Sequence, residues 1–368
     1  MNNEQKLANL MTKDDFNDWS RLLESSNIRK FILELNASEF VTKDLTFIRK
    51  CIHEGRSFSN IKLMLALSPE RREAIRKAFL TISSEEKVIY LMKSGLEAYK
   101  IDAICSVLGE NVTYELINLL KKDFDECQVG YICLGASFGF SMKEIKVFAK
   151  EEFSCDLMKY LTDLLLKKHP INKIKLVANP ALEIMQAEVL TQLIEAGVSY
   201  AKLKIVVDTI AYDREKFYSM ASCAKTNMTA KEMQEIITLS ENQINAIRDG
   251  FEKHLPASYK EYCMKLDLKR YQFFALARAF ESEIDESKIA MIAKPEYSDK
   301  FMNLFINCAR QGFSDEQLSL LISAADDELK FEKLALAISE GKSSEELDNI
   351  LKGNFKTREK ELLNKLMS

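Results

Sequence analysis

The chain has 368 residues, of which 47% are hydrophobic and 29% charged, with only 11 glycines and 5 prolines. That composition supplies a large core and too little turn-forming punctuation for a β-rich fold, so all-β and mostly disordered chains are excluded. The 52 Lys+Arg against 56 Asp+Glu leave a net charge of −4, which opposes binding driven by phosphate neutralisation and is too small for a polyanion that mimics DNA.

Apolar residues recur at spacings of three and four, as in Leu157, Leu161, Leu164, Leu165 and in Leu182, Met185, Val189, Leu193, and this period predicts helices throughout. Residues 1–40 read as an atypical helical cap, anchored by Trp19, the single tryptophan. Residues 41–140 contain a Gly followed six positions later by Ile at Gly55–Ile61, Gly95–Ile101 and Gly139–Ile145. The 40- and 44-residue spacings of these glycines predict long units with a third helix, for example over 70–80, 85–93 and 98–108. Residues 141–353 continue the motif at Gly197–Leu203, Gly312–Leu318 and Gly341–Leu347, mostly in steps of 29, with the turn glycine missing near 168 and 226. Residues 354–368 read as a terminal charged helix, and Leu255–Tyr259, with Pro256, as an irregular joint.

Each motif predicts a tight turn between helices. Glycine adopts the positive φ that ends a helix without a Cβ penalty. In five of the six motifs a serine follows two residues later (Ser57, Ser141, Ser199, Ser314, Ser343), placed to accept from the first N–H groups of the next helix. Glu144, Gln317 and Glu346 lie three residues beyond their serines and complete capping boxes. A unit of this length fits a helix of about 14 to 16 residues, a turn, and a second helix of about 8 to 10. Hairpins this small cannot bury both faces alone, so the expected fold is all-α, an α-solenoid of the HEAT/TPR-like right-handed kind.

Residues 291–321, 176–199 and 240–255 carry a further pattern: Pro295 with Tyr297, Pro180 without the aromatic, Gln243, Ile244, Ile247 and Arg248, and Gly312 with Ser314. These stretches resemble degenerate copies of a helical-hairpin repeat of about 29 residues found in poorly characterised proteins of Gram-positive bacteria, their mobile elements and phages. In that repeat a Pro-aromatic step precedes a Gln-Met-x-x-Ile-Arg helix and a Gly-Leu-Ser turn. The resemblance implies architecture over about residues 140–352 and carries no catalytic residues. The excess of 39 Lys over 13 Arg suggests an AT-rich genome.

Catalytic motifs are absent: there is no Walker-type loop, GxGxxG, HExxH, GxSxG or EF-hand loop. Gly135-Ala-Ser-Phe-Gly139 lacks the preceding strand of a phosphate-binding nest. Cys51 and His53 would stand about 200° apart on a helix. His169 and His254 read as polar residues at helix ends, and Asp326, Asp327 and Glu328 as charges at a helix N-terminus rather than metal ligands. Eight cysteines are scattered singly without a CxxC pair, and read as small core residues in a reducing compartment; a zinc site would need ligands from distant units. Tyr271, Phe273 and Phe274 read as core, and Phe140 and Tyr200 as too few for a base-stacking platform. No metal or cofactor is expected.

The surface signal is lysine. Lys62, Lys146, Lys175 and Lys204 follow the motif position, and Lys143, Lys173 and Lys202 share their short helices. Stacked units would align Lys146, Lys175 and Lys204 in a ladder, against Asp315, Glu316, Glu345 and Glu346 with Ser319 and Asp348 near the C-terminus. Such lysines solvate an amphipathic face, or they line a groove for an acidic protein or peptide. The expected function is therefore a non-enzymatic scaffold that binds a protein, such as a host protein targeted by a mobile element or phage. The alternative is a nucleic-acid binder using the ladder on phosphates, and an enzyme site assembled across units is a third. No membrane span or secretory signal is evident in the sequence, so the expected location is cytoplasmic.

Overall fold

The computed structural model describes residues 13–35, 42–211 and 213–353, and every regular element in them is helical. The expected terminal helix at 354–368 and parts of the 1–40 cap lie outside the described residues. The chain divides into two compact units, Met1–Ile184 and Met185–Ser368.

Among the described residues the first unit holds Lys13–Leu22 and Ser26–Leu33 and then helix pairs: Thr42–His53 with Phe58–Leu65, and Pro69–Thr81 with Glu85–Lys93. Ala98–Ala103, extended by a π turn over Ile104–Leu108, pairs with Tyr114–Leu119; then come Glu126–Ser137 with Met142–Phe148, and Cys155–Leu166 with Ile171–Val177. In the second unit the pairs are Ile184–Glu195 with Tyr200–Asp208, Arg214–Lys225 with Ala230–Ile236, Glu241–Glu252 with Ala257–Lys265, Arg270–Glu281 with Glu286–Ile292, Asp299–Arg310 with Asp315–Ile322, and Glu328–Ser339 with Ser344–Lys352. Within each unit most long helices pack on their own short partner and on the next long helix, the contact pattern of a helical repeat array.

The pairing is more regular than the glycine spacing suggests. From Thr42 to Glu328 the long helices start 27 to 30 residues apart, so the 40-residue three-helix units expected over 41–140 are pairs of the same size. The discrepancy has one source. Gly55 and Gly139 end long helices, whereas Gly95 follows a short one, and the glycine that turns the intervening hairpin is Gly109, at φ 49°. Gly95 belongs to the one motif that lacks the serine. From Glu126 onward every long helix has 12 residues and every short one 7 to 9, shorter than expected because caps and turns occupy the remainder.

The turns themselves follow from local chemistry. Gly55, Gly95, Gly139, Gly197, Gly312 and Gly341 all have φ between 68° and 86°. After Gly55, Gly139, Gly197, Gly312 and Gly341 the next residue donates to the carbonyl five positions back, as in Phe140 to Gly135 at 3.2 Å, Val198 to Leu193 at 3.0 Å and Lys342 to Ala337 at 3.0 Å, which satisfies a carbonyl the helix leaves open. Lys168, His254 and Glu283 take the same conformation at φ 57°, 56° and 53° and keep the bond: His169 to Leu164, Leu255 to Gly250, Ile284 to Ala279. The expected irregular joint at Leu255–Tyr259 is thus an ordinary hairpin turn, with Pro256 capping the next helix. Ser57, Ser141, Ser199, Ser314 and Ser343 all accept from the N–H three residues on, and the boxes with Glu144, Gln317 and Glu346 are closed.

A longer-range device closes six of the hairpins. In these the third residue of the long helix is a donor that reaches carbonyls at the end of its short partner or just beyond it: Arg71 to Met92 at 3.1 Å, Lys100 to Lys122 at 2.8 Å, Gln128 to Phe153 at 2.7 Å, Gln243 to Cys263 at 2.9 Å, Gln272 to Pro295 at 3.0 Å and Lys330 to Leu351 at 2.9 Å. The glutamines act at both ends, because Oε1 of Gln128, Gln243 and Gln272 also accepts from the backbone N–H three residues earlier.

Leu157, Met158, Leu161, Leu164 and Leu165 of one long helix are buried, as are Leu190, Leu193 and Ile194 of the next. Trp19 is buried as expected. Small residues let helices approach: a Cβ on Gly135 would lie 2.7 Å from the Phe148 ring and one on Gly250 2.5 Å from the Tyr259 ring. In the first unit, buried Asp44 receives Arg76 and stands 3.6 Å from Arg72, joining the first two pairs by charge. Among the described residues, no helix is long and apolar enough to cross a membrane.

Candidate functional site

The lysines expected to form a ladder are largely engaged. In the first unit Lys62 reaches Glu34 and Lys146 reaches Glu115, each at 2.7 Å; Lys62 holds the Glu34 carboxyl below its usual range by hydrogen bond and charge. Lys173 is half-buried. In the second unit Lys204 pairs with Asp208 at 2.7 Å, and that bond raises its pKa. Lys202 donates to the backbone oxygens of Ala224 and Thr226 at 3.4 and 2.9 Å. Lys87 does the same to Glu110 and Lys288 to Phe313, so the third position of short helices often carries a staple to the end of the next long helix. Lys143 and Lys175 are exposed, with no carboxylate within ion-pair distance among the described residues. Sequence spacing could not reveal Glu115, 31 residues from Lys146, as its counter-charge.

The other residues singled out divide cleanly. His53 bonds Asp18 at 2.8 Å while Cys51 is buried, so the two serve different contacts. Asp327 caps Glu328–Ser339 by accepting from the Lys330 N–H. Gly135 lies inside a helix and Gly139 in its turn. The aromatic cluster does not stay together: Phe273 is buried, but Tyr271 and Phe274 are 66% and 44% exposed. On the Arg270–Glu281 helix the inward stripe runs through Phe273, Leu276, Ala277 and Phe280, which turns positions 271, 274 and 278 outward.

That outward stripe borders a concave site. A groove of about 420 Å³ crosses three successive long helices of the second unit, Arg214–Lys225, Glu241–Glu252 and Arg270–Glu281. Equivalent fifth positions supply Tyr218, Asn245 and Phe274 to its lining. Its floor is a polar chain: Ser219 donates to Glu241 at 3.3 Å, Asn245 to Glu241 at 3.4 Å, and Arg248 to Asn245 at 3.2 Å and Asp249 at 3.0 Å. Arg270 lies 5.5 Å from the Phe274 ring centre, at cation–π distance, and Tyr271 stands edge-on to Phe274 at 6.2 Å. The fifth and ninth positions continue the polar character one helix further, where Arg278 donates to Asn303 and Asn307 at 3.0 and 3.1 Å. Amides present a donor and an acceptor on one side chain, and with the guanidinium and aromatic rings they suit recognition of a polar chain with a few large side chains. Sequence reading missed this site because its residues recur by helical position and share no residue type.

Eight cysteines were expected in the core, and six are buried there. The exceptions are Cys127 and Cys155, surface residues joined as a disulfide between the starts of successive long helices of the first unit. Their 28-residue separation is one repeat, the spacing that brings equivalent positions side by side.

Neither protein-family models nor the curated proteins yield a match to this sequence.

Proposed function

We propose that this chain is a non-enzymatic helical-repeat binding protein that takes an extended segment of a protein partner across the long helices of its second unit. The observation that carries this reading is the groove spanning three equivalent helices, with Asn242 and the second donor and acceptor of Asn245 facing a ligand's main-chain amides and Tyr218 and Phe274 flanking them. An extended peptide offers alternating donors and acceptors, which amide side chains match in either role. Arg270 has no carboxylate partner among the described residues and selects an acidic side chain on the ligand. The lysines at 62, 146 and 204 already carry counter-charges, so they contribute less to recognition than this groove.

A displayed library of random peptides, selected on the purified protein and followed by fluorescence polarisation, tests the reading. Selected peptides should share an acidic residue and lose affinity about tenfold or more with Arg270→Ala, and similarly with Asn245→Ala. Absence of selection, or affinities indifferent to both variants, overturns it. Loss of binding instead on reversing charge at Lys146, Lys175 and Lys204 would move the interface to the short helices. Binding of a mixed-sequence single-stranded oligonucleotide in place of peptide would put the phosphate-binding alternative first.

A further inference from the structure

Cys127 and Cys155 differ from the other six cysteines in a way packing does not require. Burial pushes the Cys51, Cys133, Cys223 and Cys263 thiols up to about 12 and Cys308 to about 11, and raises Cys105 as well, so these six remain protonated core groups. Cys127 and Cys155 instead occupy the first turns of Glu126–Ser137 and Cys155–Leu166, with Cα atoms 6.2 Å apart.

A third donor meets them. Asp125 caps the first of these helices by accepting from the Gln128 N–H at 2.8 Å, and the same oxygen stands 4.0 Å from the Cys155 sulfur. The two sulfurs and the carboxylate lie within 4.8 Å of one another. Zinc takes sulfur at about 2.3 Å and carboxylate oxygen at about 2.0–2.2 Å in a tetrahedron, which spaces ligand atoms roughly 3.5–3.8 Å apart, close to the observed Asp125–Cys155 separation. Two thiolates with one carboxylate select a thiophilic ion over magnesium or calcium.

We propose that reduced Cys127 and Cys155, with Asp125, form a zinc site that ties two successive hairpins of the first unit together, and that the disulfide is the oxidised, metal-free form of the same pair. The fourth position is left to water. Binding releases the two thiol protons as two zinc–sulfur bonds form, so affinity falls with acid. Interconversion is a two-electron step: a dithiol reductant gives two electrons and two protons to the disulfide and itself becomes a disulfide.

The test uses the full chain, reduced and freed of reductant under inert gas, titrated with zinc in competition with a chromogenic chelator. One zinc per reduced chain is expected, and none for the oxidised chain. Loss of both sulfurs in Cys127→Ser/Cys155→Ser should exceed the about 10–100-fold effect typical of supporting groups, and Asp125→Asn, which keeps a capping acceptor, should cost about tenfold. Cobalt in place of zinc should give a sulfur-to-metal charge-transfer band that the double variant lacks, with circular dichroism checking that each variant is folded. A reduced chain that takes no zinc, an oxidised chain that binds equally, or a double variant of unchanged affinity overturns the proposal.

Discussion

Three hairpin turns hold a residue with a side chain at the positive φ that glycine takes at Gly55, Gly139, Gly197, Gly312 and Gly341, and replacing them tests the account of the repeat directly. Lys168, His254 and Glu283 have φ of 57°, 56° and 53° and are exposed, so exchange for glycine removes no buried contact. A left-handed conformation costs an L-residue about 1–2 kcal/mol, and glycine returns about 0.5–1 kcal/mol of that through the greater freedom of its unfolded chain. Each substitution should therefore stabilise by roughly 0.5–1 kcal/mol from the backbone alone. Charge then sets an order. All three follow the C-terminus of a 12-residue helix, whose negative end favours Lys168 and opposes Glu283 by about 0.3–1 kcal/mol. Glu283→Gly should gain the most, about 1–2 kcal/mol, and Lys168→Gly the least, about −0.5 to 0.7 kcal/mol. The reverse exchange, Gly197→Ala or Gly312→Ala, meets no atom within 4 Å and should cost about 1 kcal/mol through φ alone. Urea titrations followed by circular dichroism measure these differences. A Glu283→Gly midpoint at or below that of the parent chain, or the order reversed with Lys168→Gly ahead, would refute the reasoning.

Other substitutions probe the packing and the caps. Gln243→Leu and Gln272→Leu each leave buried backbone groups unpaired at both ends of a staple and should destabilise by about 2–4 kcal/mol, with hydrogen exchange accelerating first after the short helices, near Leu266 and Tyr297. Gly250→Ala drives a methyl into the Tyr259 ring; overpacking of about 1–3 kcal/mol exceeds the helix-propensity gain of about 1 kcal/mol, so urea midpoints should fall, and Tyr259→Leu in the same chain should recover part of the loss. Glu144, Glu232 and Glu346 have pKa values lowered by their serine or threonine caps, so their contribution is complete above the unfolded carboxylate value and is lost as pH falls through the lower folded one. Replacing all three by Gln, as at Gln317, should flatten the acid limb of a stability–pH profile below about pH 4.5; an unchanged slope would exclude the boxes as its source.

The turns were legible in the sequence because their chemistry is local. Gly197 and Ser199 must serve one turn whatever the rest of the chain does, and the three boxes expected at Glu144, Gln317 and Glu346 are all closed. The phase of the first unit was not legible, because Gly95 and Gly109 both take positive φ and only the packing distinguishes a turn within a pair from one between pairs. Nor was the fate of the lysines. Lys146 and Lys202 look alike in sequence, yet one finds a carboxylate 31 residues away and the other a helix end 24 residues away. Asp44 with Arg76, and Cys127 with Cys155, were hidden for the same reason: separations of 32 and 28 residues become contacts only when neighbouring units align.

This division explains where recognition can reside in the second unit. The third position of a long helix is committed in the Gln243, Gln272 and Lys330 units, where it closes the hairpin, and exchange there removes a bond between helices. The fifth and ninth positions one face away close no hairpin, and the bonds they make between helices, Arg278 to Asn303 and Asn307, are exposed. Tyr218 with Ser222, Asn245 with Asp249, Phe274 with Arg278 and Asn303 with Asn307 differ in size, charge and polarity, while the 12-residue helices that carry them remain the same length. A surface whose residues vary over a constant backbone can be altered one helix at a time, because stability in such arrays resides in each repeat and its nearest neighbours. Substitutions along this stripe should therefore change binding with little change in folding, whereas the glutamine and lysine staples should do the opposite.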